Sequence, residues 1–553
     1  MPDAARHADR DDDDPRPGVA LPVKLPRVSI TIASLRTLVV LVAVLVVVAI
    51  AARRLRLAPP ILMVVAGIAI ALVPGLPRLE LSPEFVLLFV LPPVIYSAGV
   101  AMSWREFRFN LRPIGLLAIG GVVFTTCAIA IAVHLLIGLD MWIGVLLGAI
   151  VAPPDPVAPI AIARSLGVPR RILVVLEGEG LANDATSLVI YRFAVAAVLT
   201  GAFSLVNAVG TFALIFVGEI AYGVVVGWTS LRLRRWARDP RAEIALSLLT
   251  PYAAFWLPAE LGGSGVLATV ACGLYVSWNG PLQISSATRL QGIFFWDLTI
   301  YLIDGLVFLY TGLQIRILVE HVHAGELRWM LAVTAIVTAV AFVARFVWMF
   351  PATYVPRWLS KRLASRDPAP QWQGPFMIAF TGIRGAVSLA AALAIPISTA
   401  DGRPFPHRDM FLFAAFGIIV ITLVGQGLAL PALIRALHLD RGAAEERRRE
   451  LDQKRAASDE VLGRADRRLA EVAVARELPA ELVRRVRTHL AERRTQLSSD
   501  VEEGLVLELI GEQRTVLHQL LREGRLSDES RRRLERELDL EEESLRHGAD
   551  IAL

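Results

Sequence analysis

The chain has 553 residues, 55% of them hydrophobic, and a mean hydropathy of +0.55, which excludes a soluble protein of ordinary composition. Yet 20% of residues are charged, so the charge must be segregated, and it gathers in residues 1–28 and 438–553 on either side of a long apolar middle. The net charge of +5 implies no nucleic-acid partner, because membrane proteins collect arginine in their cytoplasmic loops.

Residues 1–28 include the run Asp11 to Asp14 and several prolines. They lack the basic start and cleavage site of a signal peptide and read as a disordered acidic tail. A membrane span takes about 20 apolar residues. Thirteen such segments follow, at 30–52, 57–76, 83–102, 114–137, 140–163, 172–199, 205–231, 243–260, 262–279, 291–315, 328–354, 374–399 and 409–436. This predicts a transmembrane domain over 29–437 and a helical cytoplasmic domain over 438–553.

The loops alternate in basic content. Arg53 and Arg54 follow the first span, Arg105, Arg108 and Arg112 the third, Arg170 and Arg171 the fifth. Arg232 to Arg241 follow the seventh, and Arg357 to Arg366 the eleventh. The positive-inside rule makes these loops cytoplasmic, with the N-terminus outside and the C-terminus inside. An odd span count agrees. Cys127 and Cys272 lie in apolar segments and read as small buried hydrophobes, with no disulfide framework or structural metal site.

The fifth span carries Ala152-Pro-Pro-Asp-Pro-Val-Ala158. Proline has no N–H for the carbonyl four residues earlier, so Pro153, Pro154, Pro156 and Pro159 should free the carbonyls of Ala149, Ile150, Ala152 and Asp155. Freed carbonyls at a half-helix end attract a bare cation, which makes Ala152 and Ile150 candidate backbone ligands. Asp155 opens the second half-helix, where its carboxylate suits both a cap and a cation site. The sixth span adds Glu177, Glu179, Asn183 and Asp184. Acids at membrane depth are costly and usually line an ion or proton path. Asp184, near mid-membrane, can hold a proton or a cation but is poorly stable with neither, and that mutual exclusion is the simplest engine for exchange.

In the tenth span Asp297 and Asp304 share a helix face; the deeper Asp304 is a possible accessory group. Arg192 and Arg345 are expected to satisfy buried carbonyls or carboxylates, while Glu219 is ambiguous. In the twelfth span glycines flank Arg384 within Thr381-Gly-Ile-Arg-Gly-Ala-Val-Ser388, suggesting a second interrupted helix. Two interrupted spans at corresponding places point to an inverted-repeat transporter, with spans 1–6 mirrored by 8–13. Glu179 and Arg384 are expected to form a structural ion pair. The tail has helical periodicity over 505–521 and 527–545, without nucleotide loop, metal cluster or enzyme motif.

Taken in order, Leu91-Pro-Pro-Val-Ile-Tyr96, Pro154-Asp-Pro-Val-Ala158, Glu177-Gly-Glu-Gly-Leu-Ala-Asn-Asp184, Asp304-Gly-Leu-Val-Phe308, Thr311-Gly-Leu-Gln314 and Gly382-Ile-Arg-Gly-Ala-Val-Ser-Leu389 resemble the bacterial sodium/proton antiporters of the monovalent cation:proton antiporter-1 family. The resemblance covers roughly residues 30–437. It implies a homodimer in a bacterial plasma membrane, with a core bundle sliding against a dimerisation domain. Asp184 would be the alternating cation and proton carrier, with Asn183 a neutral neighbour, and the Asn-Asp pair would imply electroneutral exchange. Three positions depart from the family pattern: Pro154 where many relatives have Thr, Gly180 where many have Ser, and Ser97 in place of an acid. The first two remove hydroxyl ligands for Na⁺ and leave open the choice among Na⁺, K⁺ and Li⁺.

The expected fold is therefore an all-α polytopic membrane protein with about thirteen transmembrane helices, inverted repeats, two discontinuous crossing helices and a helical cytoplasmic domain. The expected function is exchange of Na⁺ for H⁺ by alternating access, with no cofactor, no enzyme activity and a role in pH homeostasis. K⁺/H⁺ antiport, cation-coupled symport and a membrane ion or pH sensor signalling through the tail are the alternatives.

Overall fold

The computed structural model describes residues 32–55, 57–73, 83, 85–201, 205–321, 325–399, 402–439, 448, 461–496, 513 and 538. The acidic tail and, apart from 513 and 538, the tail helices expected over 505–545 lie outside the described residues. Among the described residues every element is helical, apart from one isolated bridge between Ser398 and Pro404.

In chain order the helices are α1 (Ile32–Leu55), α2 (Pro59–Ala71), α3 (Phe85–Ala101), the short α4 (Trp104–Phe109) and α5 (Leu111–Ile137). The fifth apolar segment forms two half-helices, α6 (Met141–Val151) and α7 (Val157–Ser165). They are followed by α8 (Arg170–Thr200), α9 (Leu205–Ala237), α10 (Pro240–Glu260), α11 (Val266–Asn279) and α12 (Ser286–Leu313). Then come α13 (Ile315–His321), α14 (Leu327–Leu359), α15 (Lys361–Arg366), the half-helices α16 (Gln373–Phe380) and α17 (Ala386–Leu393), and α18 (Arg408–Ala436). Six of these stretches are long and apolar enough, by length and composition, to cross a membrane. Beyond them, 461–475 and Ala480–Gln496 are exposed helices joined by an Asp466–Arg487 ion pair at 2.8 Å.

Helices in lipid gain nothing from excluding one apolar surface from another, so close approach through small residues drives their packing. Gly144 and Gly148 on α6 meet Ala130 and Thr126 of α5 so closely that a Cβ at either would strike backbone. Gly67 of α2 and Gly312 of α12 stand in the same relation to each other. The main core lies where α5, α6, α14, α17 and α18 converge, around the fully buried Leu146, Leu147, Phe411 and Ile418.

Two polar devices tie the bundle together. Glu219 of α9, 3% exposed, caps the start of α11 by accepting from the backbone N–H groups of Ser264 (2.5 Å), Gly265 (3.0 Å) and Leu267 (3.1 Å). Those N–H groups have no partner within the helix, and a carboxylate also suits the positive end of the helix dipole. Sequence had left Glu219 ambiguous; here its role is structural. At one end of the bundle Asp367 gathers Arg112 (2.9 Å), Arg171 (2.5 Å) and Arg357 (2.7 Å). Three of the expected basic loops thus share one face. Glu106 of α4 bonds Arg170 at 2.9 Å on that same face.

Candidate functional site

α6 stops at Val151 because Pro153 and Pro154 cannot donate to the helix, and Ala152 to Pro156 run unwound to α7. α16 stops at Phe380, and the chain unwinds from Thr381 to Gly385 before α17. The two unwound stretches lie against each other. Asp155 N donates to Ile383 O at 2.7 Å, and Arg384 Nη1 donates to Ala152 O at 2.6 Å. Gly385 is required at the contact, since a Cβ there would fall on the Asp155 carboxyl.

Two of the four carbonyls released by the prolines, those of Ala149 and Ala152, are already engaged. Ser187 Oγ donates to Ala149 O at 2.5 Å, and Asn183 Nδ2 to Pro154 O at 2.7 Å. The expectation of Ala152 and Ile150 as cation ligands is corrected accordingly. Neither lines the adjoining cavity, and the Ala152 oxygen is held by a guanidinium. Asn183 is wholly buried behind Asp184, where it holds the break in place.

The expected Glu179–Arg384 pair is also corrected. Glu179 is bound by Arg345 of α14, through Nη1 at 2.6 Å and Nη2 at 2.9 Å. Arg345 also donates to Ile378 O at the end of α16, at 3.0 and 3.2 Å. One guanidinium thus fastens α8 to the second break, as a planar fork can and an ammonium cannot. Arg384 instead spans the two breaks, and its backbone N–H donates to Thr422 Oγ1 at 3.0 Å. Arg345 was foreseen as a partner for buried acceptors; Arg192, given the same expectation, is exposed.

A cavity of about 350 Å³ lies beside the crossing. Four carboxylates line it: Asp155, Glu177, Asp184 and Asp304. Glu177 pairs with Arg164 of α7 at 2.5 Å at the end nearer the basic loops. Asp155 Oδ1 accepts from Val157 N at 2.9 Å, so its capping role is realised. Asp184 and Asp304 have no hydrogen bond or ion pair among the described residues. Asp184 is the fifteenth of the 31 residues of α8, midway along a helix about 46 Å long. Ser97 is half-buried on α3 and does not line the cavity. Asp297, on the same helix as Asp304, is exposed.

Four carboxylates and one guanidinium leave three negative charges in excess when all are ionised. Like charges this close at membrane depth cannot all stay bare. The cavity therefore demands protons or cations, and either satisfies it.

The profile of the transmembrane sodium/hydrogen exchanger family matches residues 40–436. This chain belongs to that family. The exchanger is 34% identical over 511 residues to an uncharacterised Na⁺/H⁺ exchanger of Mycobacterium tuberculosis, covering 90% of this chain and 93% of that one. It is 33% identical over 389 residues to a sodium, potassium, lithium and rubidium/H⁺ antiporter of Bacillus subtilis, covering 68% of this chain and 57% of that protein. In fold it resembles the sodium proton antiporter of Methanocaldococcus jannaschii, with a TM-score of 0.59, 18% identity, and coverage of 73% of this chain and 97% of the other. The exchanger is thus a multi-pass monovalent cation:proton antiporter.

The departure at Gly180 has a local cause in the exchanger. A Cβ on Gly180 would run into the Pro156 ring, so the missing hydroxyl and the proline that follows Asp155 are one packing solution. Gly180→Ser is expected to lower folded yield and melting temperature through overpacking worth about 1–3 kcal/mol. Adding Pro156→Ala should restore both, as read by size-exclusion profile and thermal melt; equal behaviour of the single and double variants would contradict this coupling.

Proposed function

We propose that the protein exchanges one monovalent cation for one proton across a bacterial plasma membrane, by alternating access at Asp184. Asp155 assists by charge, Asn183 by holding the Pro154 carbonyl, and Asp304 as an accessory acid facing the same cavity. The observation that carries this reading is Asp184 itself. It lies midway along its helix, it is free of any ion pair among the described residues, and it opens on a cavity lined by three further acids. An acid locked in a salt link has no binding capacity to offer; this one does.

The cavity reaches Asp184 from the end that bears Arg164 and Glu177, nearer the basic loops. With those loops cytoplasmic, this is the inward-open state, in a frame of thirteen spans with the N-terminus outside and the C-terminal domain inside. The domains are the transmembrane unit over 29–437 and the cytoplasmic helical unit over 438–553, and the working form is a homodimer. Na⁺ is the preferred cation. K⁺ is the second reading, favoured by the absence of side-chain hydroxyls at Pro154 and Gly180. A cavity of about 350 Å³ also lets an ion keep part of its water shell. The relative from Bacillus subtilis, whose name includes both ions, is consistent with either.

The test is dye-reported proton movement in proteoliposomes pulsed in turn with Na⁺, K⁺ and Li⁺. Na⁺ is expected to give the lowest half-saturating concentration, and a clamp of the membrane potential is expected to leave the initial rate unchanged. A rate that climbs with inside-negative voltage overturns one-for-one exchange, and no cation-driven flux at all overturns the reading.

A further inference from the structure

A second cavity, of about 550 Å³, lies on the other side of the crossing, between α14, the second break and α18. It shares no lining residue with the acidic cavity. Its inner wall holds Arg345, Arg384 and Gln426. Its outer rim is cut by small residues, Ala335, Ala339 and Gly425, all exposed on the surface of their helices beside Phe342 and Ile421. Those helices belong to two of the long apolar stretches, so the opening faces hydrocarbon.

Two polar atoms in this wall have no partner among the described residues. Arg384, 2% exposed, leaves its Nε–H undonated, and Gln426 leaves its buried Oε1 without a donor. Of its other donors, Nη1 serves Ala152 O and the backbone N–H serves Thr422. Unsatisfied polar groups at this depth are costly, so a partner is called for. Gln426 ends a π-helical turn, Ile421–Gln426, a kind of irregularity that often marks functional positions.

We propose that this cavity binds the head of a long-chain carboxylic acid drawn from the lipid phase, with its chain lying along the gap beside Ala335, Ala339 and Gly425. A carboxyl group carries one acceptor and one donor, which are the two complements required. Its carbonyl accepts from Arg384 Nε–H, and its O–H donates to Gln426 Oε1. Depth selects against a phospholipid head. Arg345, on the polar wall, is the nineteenth of the 33 residues of α14, within a few ångströms of the middle of a hydrocarbon layer about 30 Å thick. A phosphodiester stays at the edge of that layer, whereas a neutral fatty acid enters the interior. Bound there, the acid contacts the crossing from behind and is placed to bias its movement.

The test uses full-length protein in nanodiscs, a palmitic acid carrying a diazirine on its chain, ultraviolet irradiation and peptide mass spectrometry. Label is expected within 335–345 and 418–426, displaced by unlabelled palmitic acid but not by hexadecane, hexadecanol or phosphatidylglycerol. Ala339→Trp plugs the exposed gap and should remove the label while leaving the size-exclusion profile intact. Gln426→Leu should weaken displacement by palmitic acid about fivefold, the loss expected for one hydrogen bond. Displacement by hexadecane would mean an unselective apolar groove. Displacement by hexadecanol would deny the carboxyl its role, and displacement by phosphatidylglycerol would make the ligand a phospholipid. No label in these segments, label indifferent to Ala339→Trp, or palmitic acid displacement unchanged in Gln426→Leu would equally overturn the proposal. Labelling does not require transport, so its outcome is separate from that of the flux assay.

Discussion

Asp184→Asn is expected to reduce cation-driven proton flux to that of empty liposomes, with yield and melting temperature close to wild type. The side chain makes no hydrogen bond or ion pair among the described residues, so the amide breaks no contact. It leaves a group of the same shape that can neither take up a proton nor compensate a cation, and exchange has no carrier. Asp155→Asn is the informative contrast. Its amide oxygen keeps the cap to Val157 N while the charge is lost, so transport should persist with half-saturation raised about tenfold, the scale of one charge-assisted contact. Competition gives a further signature. If proton and cation exclude each other at Asp184, the half-saturating cation concentration in the wild type rises in proportion to proton concentration where the acid is mostly protonated. A half-saturation indifferent to pH, or undiminished flux in Asp184→Asn, would remove the carrier from the scheme.

How far the site could be read from the amino-acid order depends on whether each feature is local. The breaks at Pro153–Pro154 and at Gly382–Gly385 are local chemistry, a missing donor and a missing Cβ, and both lie where the residues indicate. Asp184 stands out for the same reason, since an acid in an apolar run is conspicuous without any knowledge of its neighbours. Partnerships are different. Glu179 had two buried arginines within reach, and which one meets it depends on how α8 and α14 are rotated, which no spacing within either helix reveals. The same holds for Glu219, whose cap for α11 joins helices distant in sequence. It holds too for Gly180, where the absent hydroxyl looked like a lost ligand and is also a clearance for Pro156. Of the carbonyls that proline was expected to free, side chains of α8 and the second break had already claimed those of Ala149 and Ala152.

Glu179→Gln should be the most destabilising conservative change near the crossing. The Glu179–Arg345 pair is almost fully sequestered, with side chains 3% and 9% exposed. Replacing the acid leaves a buried guanidinium without its charge partner, and such breakage costs about 3–5 kcal/mol, a large share of the total stability of a folded domain. Monodisperse yield should collapse and the melting temperature of the residual protein should fall. Arg345→Lys should fare no better, because an ammonium cannot hold both oxygens of Glu179 and the Ile378 carbonyl in one plane. Removing both charges together, Glu179→Gln with Arg345→Gln, should recover part of the loss, since neither partner is then left bare. That non-additivity separates a fastening role from a transport role. A fastening loses protein and keeps turnover per folded molecule, whereas a transported-ion ligand keeps protein and loses turnover. Glu179→Gln with normal yield, normal melting and no flux would place this acid in the ion path, and the two crossing breaks would then need another anchor to α8.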